Sequence, residues 1–181
     1  MAEANLLQAT GEAFERAIDI EQRACEIFIK LSEMFAHVPD VSGFWKDMAE
    51  DELMHMNILE DVYDSLTSEQ LQTPVDDALW NKIVNAESFL SQDLTSDIRN
   101  LDEAYEMAHQ MEFSEVNSIF KFLATQIVQS QQIEIQVTEE ITRHIRKIMD
   151  FAQDFGGRAW RGDVAISSLE RSSRPRPASR T

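Results

Sequence analysis

The sequence predicts an all-α protein: a four-helix bundle with a long crossover between the second and third helices, followed by a flexible C-terminal tail. Three observations carry that expectation. Between Pro74 and Gly156 the chain contains neither proline nor glycine, and no strand-like alternation dominates it. Apolar residues recur every three or four positions, the period of a helix with one buried face. An internal repeat relates the two halves, as two similar helical hairpins packed together would require.

The first helix is predicted from about Thr10 to Phe35, with Ala17, Glu21, Ala24, Phe28 and Leu31 on one face. "HVPDVSG" breaks it. The second is predicted from about Gly43 to Leu66, with Phe44, Met48, Glu52, His55, Leu59 and Val62 on one face. The long connection that follows contains a short helix from Asp76 to Leu90. "TSD", Thr95 to Asp97, offers a cap for the third helix, which carries through Phe122. The fourth ends near Phe155, before Gly156–Gly157. The turn between the third and fourth is predicted at Gln129 to Gln132, with one long bent helix as the alternative. The bundle then occupies residues 1–157, and residues 158–181 form a basic, proline-containing tail.

Composition narrows the function. A chain of 181 residues, 43% apolar, suffices for one domain with a real core. The net charge of −17 argues against nucleic acid as the main partner and makes the body attractive to cations. That acidity belongs to the body, because the tail from Arg158 carries six arginines against Asp163 and Glu170. No stretch is apolar enough for long enough to span a membrane. The N-terminus lacks a basic start followed by an apolar run, so no secretory signal is expected. Cys25 is the only cysteine. These features predict a cytoplasmic protein without an intrachain disulfide.

The repeat points to a site. "EAFERAIDIE", Glu12 to Glu21, lies over "EAYEMAHQME", Glu103 to Glu112, without a gap, and "IF" at Ile27–Phe28 recurs at Ile119–Phe120. Glu21 and Glu112 therefore occupy equivalent places on apolar stripes, where a lone carboxylate is costly unless paired, protonated or metal-bound. Glu52 and His55, one turn apart in "EDELMHMN", pose the same problem on the second helix. A cation between the helices satisfies all four. Imidazole with carboxylates suits iron or manganese, and also zinc. Other residues have plainer readings: His109 as a core or interface histidine, His37 as a solvated one, Cys25 as a buried thiol, and Met48, Met107 and Met111 as packing.

These residues make the chain, from about Gly11 to Phe155, resemble the ferritin-like superfamily, especially its rubrerythrin-like and bacterioferritin-like members. The resemblance implies a di-iron centre built from one glutamate on each of two helices and a Glu-x-x-His on each of the other two. Glu21, Glu52, His55 and Glu112 match four of those six positions, and Glu115 resembles an additional carboxylate of rubrerythrin-like proteins. The fourth helix departs from the pattern. The repeat predicts its pair near residues 143 and 146, which are arginines. A shift of two brings His144 to the place of His55 and puts Ile141 at the glutamate position, while Glu140 lies one turn before His144. The site is then asymmetric, uses Glu140 and His144, or holds a single metal. His144 also has an ordinary reading, as a basic residue near a helix C-terminus.

The tail carries its own signal. "GDVAISSLERS", residues 162–172, resembles the cargo-loading peptides of encapsulin nanocompartments. Val164, Ile166, Ser168, Leu169 and Arg171 would meet the shell protein, with Ser167 in place of the usual glycine and Glu170 before the arginine. The resemblances together imply Fe(II) oxidation for iron mineralisation or storage by an encapsulin cargo. The alternatives are a rubrerythrin-like peroxide reductase, which without Cys-x-x-Cys pairs needs an external electron donor, and a non-catalytic iron-binding adaptor with a degenerate fourth helix. A homo-oligomer is expected as well.

Overall fold

Thr10 opens the first helix without a capping side chain before it; its N–H and hydroxyl both donate to the Thr73 carbonyl, each at 2.8 Å. The start of the bundle is thus tied to the crossover, and an isolated bridge between Ala9 and Pro74 extends the tie. The computed structural model describes residues 8–113, 116–126 and 131–159, with the side chains of 126 and 152–159 excepted. Among them the helices are α1 (Thr10–Met34), α2 (Pro39–Ser65), α3 (Ser68–Gln72), α4 (Asp77–Leu90), α5 (Leu101–Glu112), α6 (Val116–Gln126) and α7 (Gln131–Ala159), with no strand. This is the all-α, ferritin-like bundle: α1, α2, α5–α6 and α7 are its four long members, and α3 and α4 lie in the crossover. No described helix is long and apolar enough to cross a membrane.

Both predicted stripes are buried, except that Phe44 at the start of the second is half-buried. Ala17, Glu21, Ala24, Phe28 and Leu31 of α1 face Met48, Glu52, His55, Leu59 and Val62 of α2 across the interior. α2 begins at Pro39, four residues before the predicted Gly43. Proline suits a helix's first turn, where its missing N–H is not needed and its fixed φ already fits. Gly43 sits inside the helix, and a Cβ there would meet nothing within 4 Å. Beside the hairpin bend, the buried Ser42 hydroxyl donates to the Ser32 carbonyl at 3.0 Å.

The crossover is capped piece by piece. Thr67 and Gln70 form a reciprocal capping box around the unpredicted α3. Asp76 accepts from the Leu79 N–H at 2.7 Å to start α4, which buries Leu79, Ile83, Ala86 and Leu90 against α1 and α6. α5 is capped by Asn100, whose side chain accepts from the Glu103 N–H at 3.0 Å, rather than by the predicted Thr95–Asp97. The predicted third helix is two elements, α5 ending at Glu112 and α6 starting at Val116. The predicted turn at Gln129–Gln132 meets the start of α7 at Gln131. α7 runs through Gly156 and Gly157 to Ala159, so the glycine pair does not end it. Residues 160–181, with the peptide at 162–172, lie outside the described residues.

One end of the core is aromatic. Phe44 stacks on Phe151 with ring centroids 3.8 Å apart, and Trp45 lies 5.4 Å from Phe151 and 5.9 Å from Phe28. Trp45 and Phe151 stand seven residues, two helical turns, from Glu52 and His144. The rings close that end of the bundle with apolar surface.

Candidate metal centre

Four helical segments bring five ionisable side chains into the bundle interior. Glu21 comes from α1, Glu52 and His55 from α2, Glu112 from the end of α5 and His144 from α7, none more than 4% exposed. They form two groups whose ligand atoms lie within 4.8 Å of one another, Glu21–Glu52–His55 and Glu52–Glu112–His144. Glu52 belongs to both. Its Oε2 lies 3.2 Å from His55 Nδ1, and its Oε1 lies 3.2 Å from His144 Nε2. His55 Nδ1 is 3.7 Å from Glu21 Oε2, and His144 Nε2 is 2.7 Å from Glu112 Oε2. The two halves therefore meet at the site: the first supplies Glu21, Glu52 and His55, the second Glu112 and His144, and Glu52 reaches both histidines.

The polar accounting is incomplete in a way that suits a cation. Glu21 Oε2, Glu52 Oε1, His55 Nε2 and both ring nitrogens of His144 are buried without a partner in hydrogen-bond geometry. Such atoms are costly in a protein interior. A divalent ion in each group would use the orphaned oxygens and an imidazole nitrogen, a hard-and-intermediate donor set that fits iron or manganese and also zinc.

Electrostatics tell the same story. Burial, reinforced by Glu52, pushes the Glu112 carboxyl up to about 7 although His144 and Asn117 oppose it. Burial raises Glu52 as well, against the pull of His144 and His55. Burial disfavours a charged His55, yet Glu21 and Glu52 beside it raise its pKa to about 10. His144 is raised to about 11, its burial outweighed by Glu52, Asp51 and Glu112. Without a metal the cluster balances its charge with protons. With one, the ion takes their place.

Asp51 is a member that the sequence reading missed. It is 2% exposed, accepts from Arg143 Nη1 at 2.8 Å and Lys147 Nζ at 2.6 Å, and places Oδ2 3.3 Å from His144 Nδ1. Burial pushes its carboxyl up, but His144 and Lys147 more than offset this and hold it below the ordinary range. Asp51 faces one nitrogen of His144 and leaves Nε2 toward Glu52 and Glu112, the role of an outer partner that orients a metal-binding imidazole. The available signal was its spacing: Asp51 is four residues before His55, one turn away on the same side of α2.

The remaining expectations separate. Glu140 was expected to reach the cation beside His144. It joins neither group, because its carboxylate pairs with Arg143, one turn along α7 and nearer the surface. Ile141, at the missing glutamate position, packs against the core. His144 lies well inside α7, not near its C-terminus, and is fully buried. Glu115 lies outside the described residues. His109 is exposed and stacks on Phe113 at 4.3 Å instead of entering the core. Cys25 is only half-buried. Met48, Met107 and Met111 are core packing.

No curated protein and no solved structure matches this chain. A family model, Rubrerythrin, matches residues 12–115, which is more than half of the 181. The match contains Glu21, Glu52, His55 and Glu112 and stops short of His144. The buried glutamates and histidine that the geometry singles out on α1, α2 and α5 thus fall within the span the family defines, and this chain belongs to the rubrerythrin family of ferritin-like proteins.

Proposed function

We propose that the chain is a di-iron protein that oxidises Fe(II) for mineralisation, and that its tail delivers it to an encapsulin shell. The sharing of Glu52 between two buried glutamate–histidine groups carries this reading. Glu21 and His55 would hold one ion, Glu112 and His144 the other, and Glu52 would span them. Bound iron supplies the redox chemistry: two Fe(II) give up two electrons, enough to reduce dioxygen to peroxide or peroxide to water. The chain's own part is to hold ligands in a core from which water is kept. The Phe120 ring stacks on His55 at 4.3 Å and walls one side. Asp51 fixes the outer face of His144, while Arg143 and Lys147 neutralise Asp51 so that its charge does not add to the three carboxylates inside.

A second reading, peroxide reduction, is favoured by the family match itself. Cys25 alone provides no Cys-x-x-Cys electron site, so electrons would come from a donor outside this sequence. Repeated additions of Fe(II) under dioxygen, with the Fe(III) product counted per chain, decide between them. Oxidation continuing far beyond two iron ions per chain supports mineralisation. Oxidation that stops at two, with peroxide consumed on re-reduction, supports the reductase. No oxidation above the rate in buffer refutes both.

Both groups assemble within one chain, so a homo-oligomer is not needed to complete the centre. In the tail, Val164, Ile166 and Leu169 would fill apolar pockets of the shell protein, and Ser168 and Arg171 its polar rim. The support for this is the sequence pattern.

A further inference from the structure

Glu21 and Glu112 come from matched positions but are held differently. α1 continues unbroken through Glu21 to Met34, whereas α5 ends at Glu112 and α6 begins at Val116. The repeat's offset is 91 at Glu21 and Glu112 and 92 at Phe28 and Phe120, so the second half carries one extra residue across that interruption. On an unbroken helix a residue five places on lies about 140° around the axis. Asn117 would then face away from the Glu112 carboxylate. Instead its Nδ2 donates to the Glu112 carbonyl at 2.8 Å and to Glu112 Oε2 at 2.9 Å.

A primary amide has two N–H hydrogens, so it serves both acceptors at once. The carbonyl is one that the end of α5 leaves without an intrahelical donor. The carboxylate oxygen is the same atom that lies 2.7 Å from His144 Nε2. Asn117 therefore clamps the Glu112 side chain to its own backbone, aimed at His144. At the offset of 92 its counterpart in the first half is Cys25, and Glu21 Oε2 is buried with no hydrogen-bond partner.

We infer that Asn117 is a positioning residue that makes the two halves of the centre unequal. It fixes Glu112 beside His144 before metal arrives, so the Glu52–Glu112–His144 group takes the first ion. The Glu21–Glu52–His55 group takes the second and holds it more weakly, because Glu21 must still be ordered when the ion binds. This rests on the reading of both groups as the metal centre. An exchangeable second position suits iron that enters as substrate and leaves as product.

Anaerobic Co(II) titration in single-site backgrounds tests it. His55→Ala leaves the Glu112 group intact, and His144→Ala leaves the Glu21 group. Asn117→Leu, similar in size but without donors, should weaken Co(II) binding roughly 10-fold in the His55→Ala background and leave it unchanged in the His144→Ala background. Equal weakening in both backgrounds, or none in the first, overturns the inference. A second measurement needs no metal: the Asn117 side-chain amide hydrogens should exchange slowly in the metal-free wild-type protein. Solvent-like exchange would overturn the clamp directly. A wild-type chain that binds no Co(II) refutes the centre itself, and the inference with it.

Discussion

Glu52 Oε1 lies 3.2 Å from His144 Nε2, which joins the Glu-x-x-His of α2 to the lone histidine of α7. Glu52 Oε2 is equally close to His55 on its own helix. One carboxylate thus serves two imidazoles, and the two groups are joined without a second glutamate from the fourth helix.

Metal-free stability should fall as pH rises. Glu112 is raised from 4.5 to about 7, and His55 and His144 from 6.5 to about 10 and about 11. Each folded value lies above the unfolded one. Each group therefore contributes stability that is complete below its unfolded pKa and is lost as pH climbs through its folded pKa. Asp51 has the opposite sign: its contribution is present above 3.8 and lost only in stronger acid. The metal-free protein should accordingly melt highest near about pH 5 and progressively lower toward about pH 9. Saturating Mn(II) or Zn(II) should raise the melting temperature, and by more at the higher pH, since the ions displace protons. Calorimetry across that range checks this; a metal effect that shrinks with pH would contradict it.

Asp51 and its surface partner should behave unequally. Asp51→Ala removes buried charge-assisted hydrogen bonds and should cost about 2 kcal/mol. It should also weaken metal binding at His144 by roughly 10- to 100-fold. The Arg143 side chain is 42% exposed and Lys147 also holds Asp51, so Arg143→Ala should cost under about 1 kcal/mol. Denaturant unfolding of both variants is the check, and equal losses would speak against Asp51 as the centre of that cluster.

The tail should be separable from the bundle. Deleting everything after Gly162 should leave helicity, melting and Fe(II) oxidation nearly intact while abolishing co-assembly with an encapsulin shell protein. Replacing Ile166 and Leu169 together by aspartate should do the same, because charge enters an apolar pocket only at high cost. Cargo per purified shell, counted after co-expression, is the readout; loading at the full-length level would remove the shell from the account.

Much of the centre was legible because burial contradicts chemistry. Glu21, Glu112, Glu52 and His55 stand on stripes of carbon, and a repeat that places two glutamates in register turns coincidence into pattern. His144 was reached only by sliding the repeat two places, since the interruption after Glu112 and the later turn spoil the register. Asp51 was illegible for a different reason. In a chain of net charge −17, another acid beside Glu52 reads as surface, and only the approach of Arg143 and Lys147 on α7 makes its burial tolerable. Glu140 failed conversely. It lies one turn before His144, four residues away and not the three of Glu-x-x-His, and Arg143 takes its carboxylate. In the fold, Pro39 read as a breaker although it is the first residue of α2, a distinction that rests on which side of the proline the helix lies.

The stoichiometry of anaerobic Fe(II) binding tests the central claim most directly. Wild type should bind two iron ions per chain, His55→Ala and His144→Ala about one each, and Glu52→Ala almost none, because only Glu52 belongs to both groups. Wild-type stoichiometry in Glu52→Ala, or the same loss from all three variants, would contradict a centre built around one shared carboxylate.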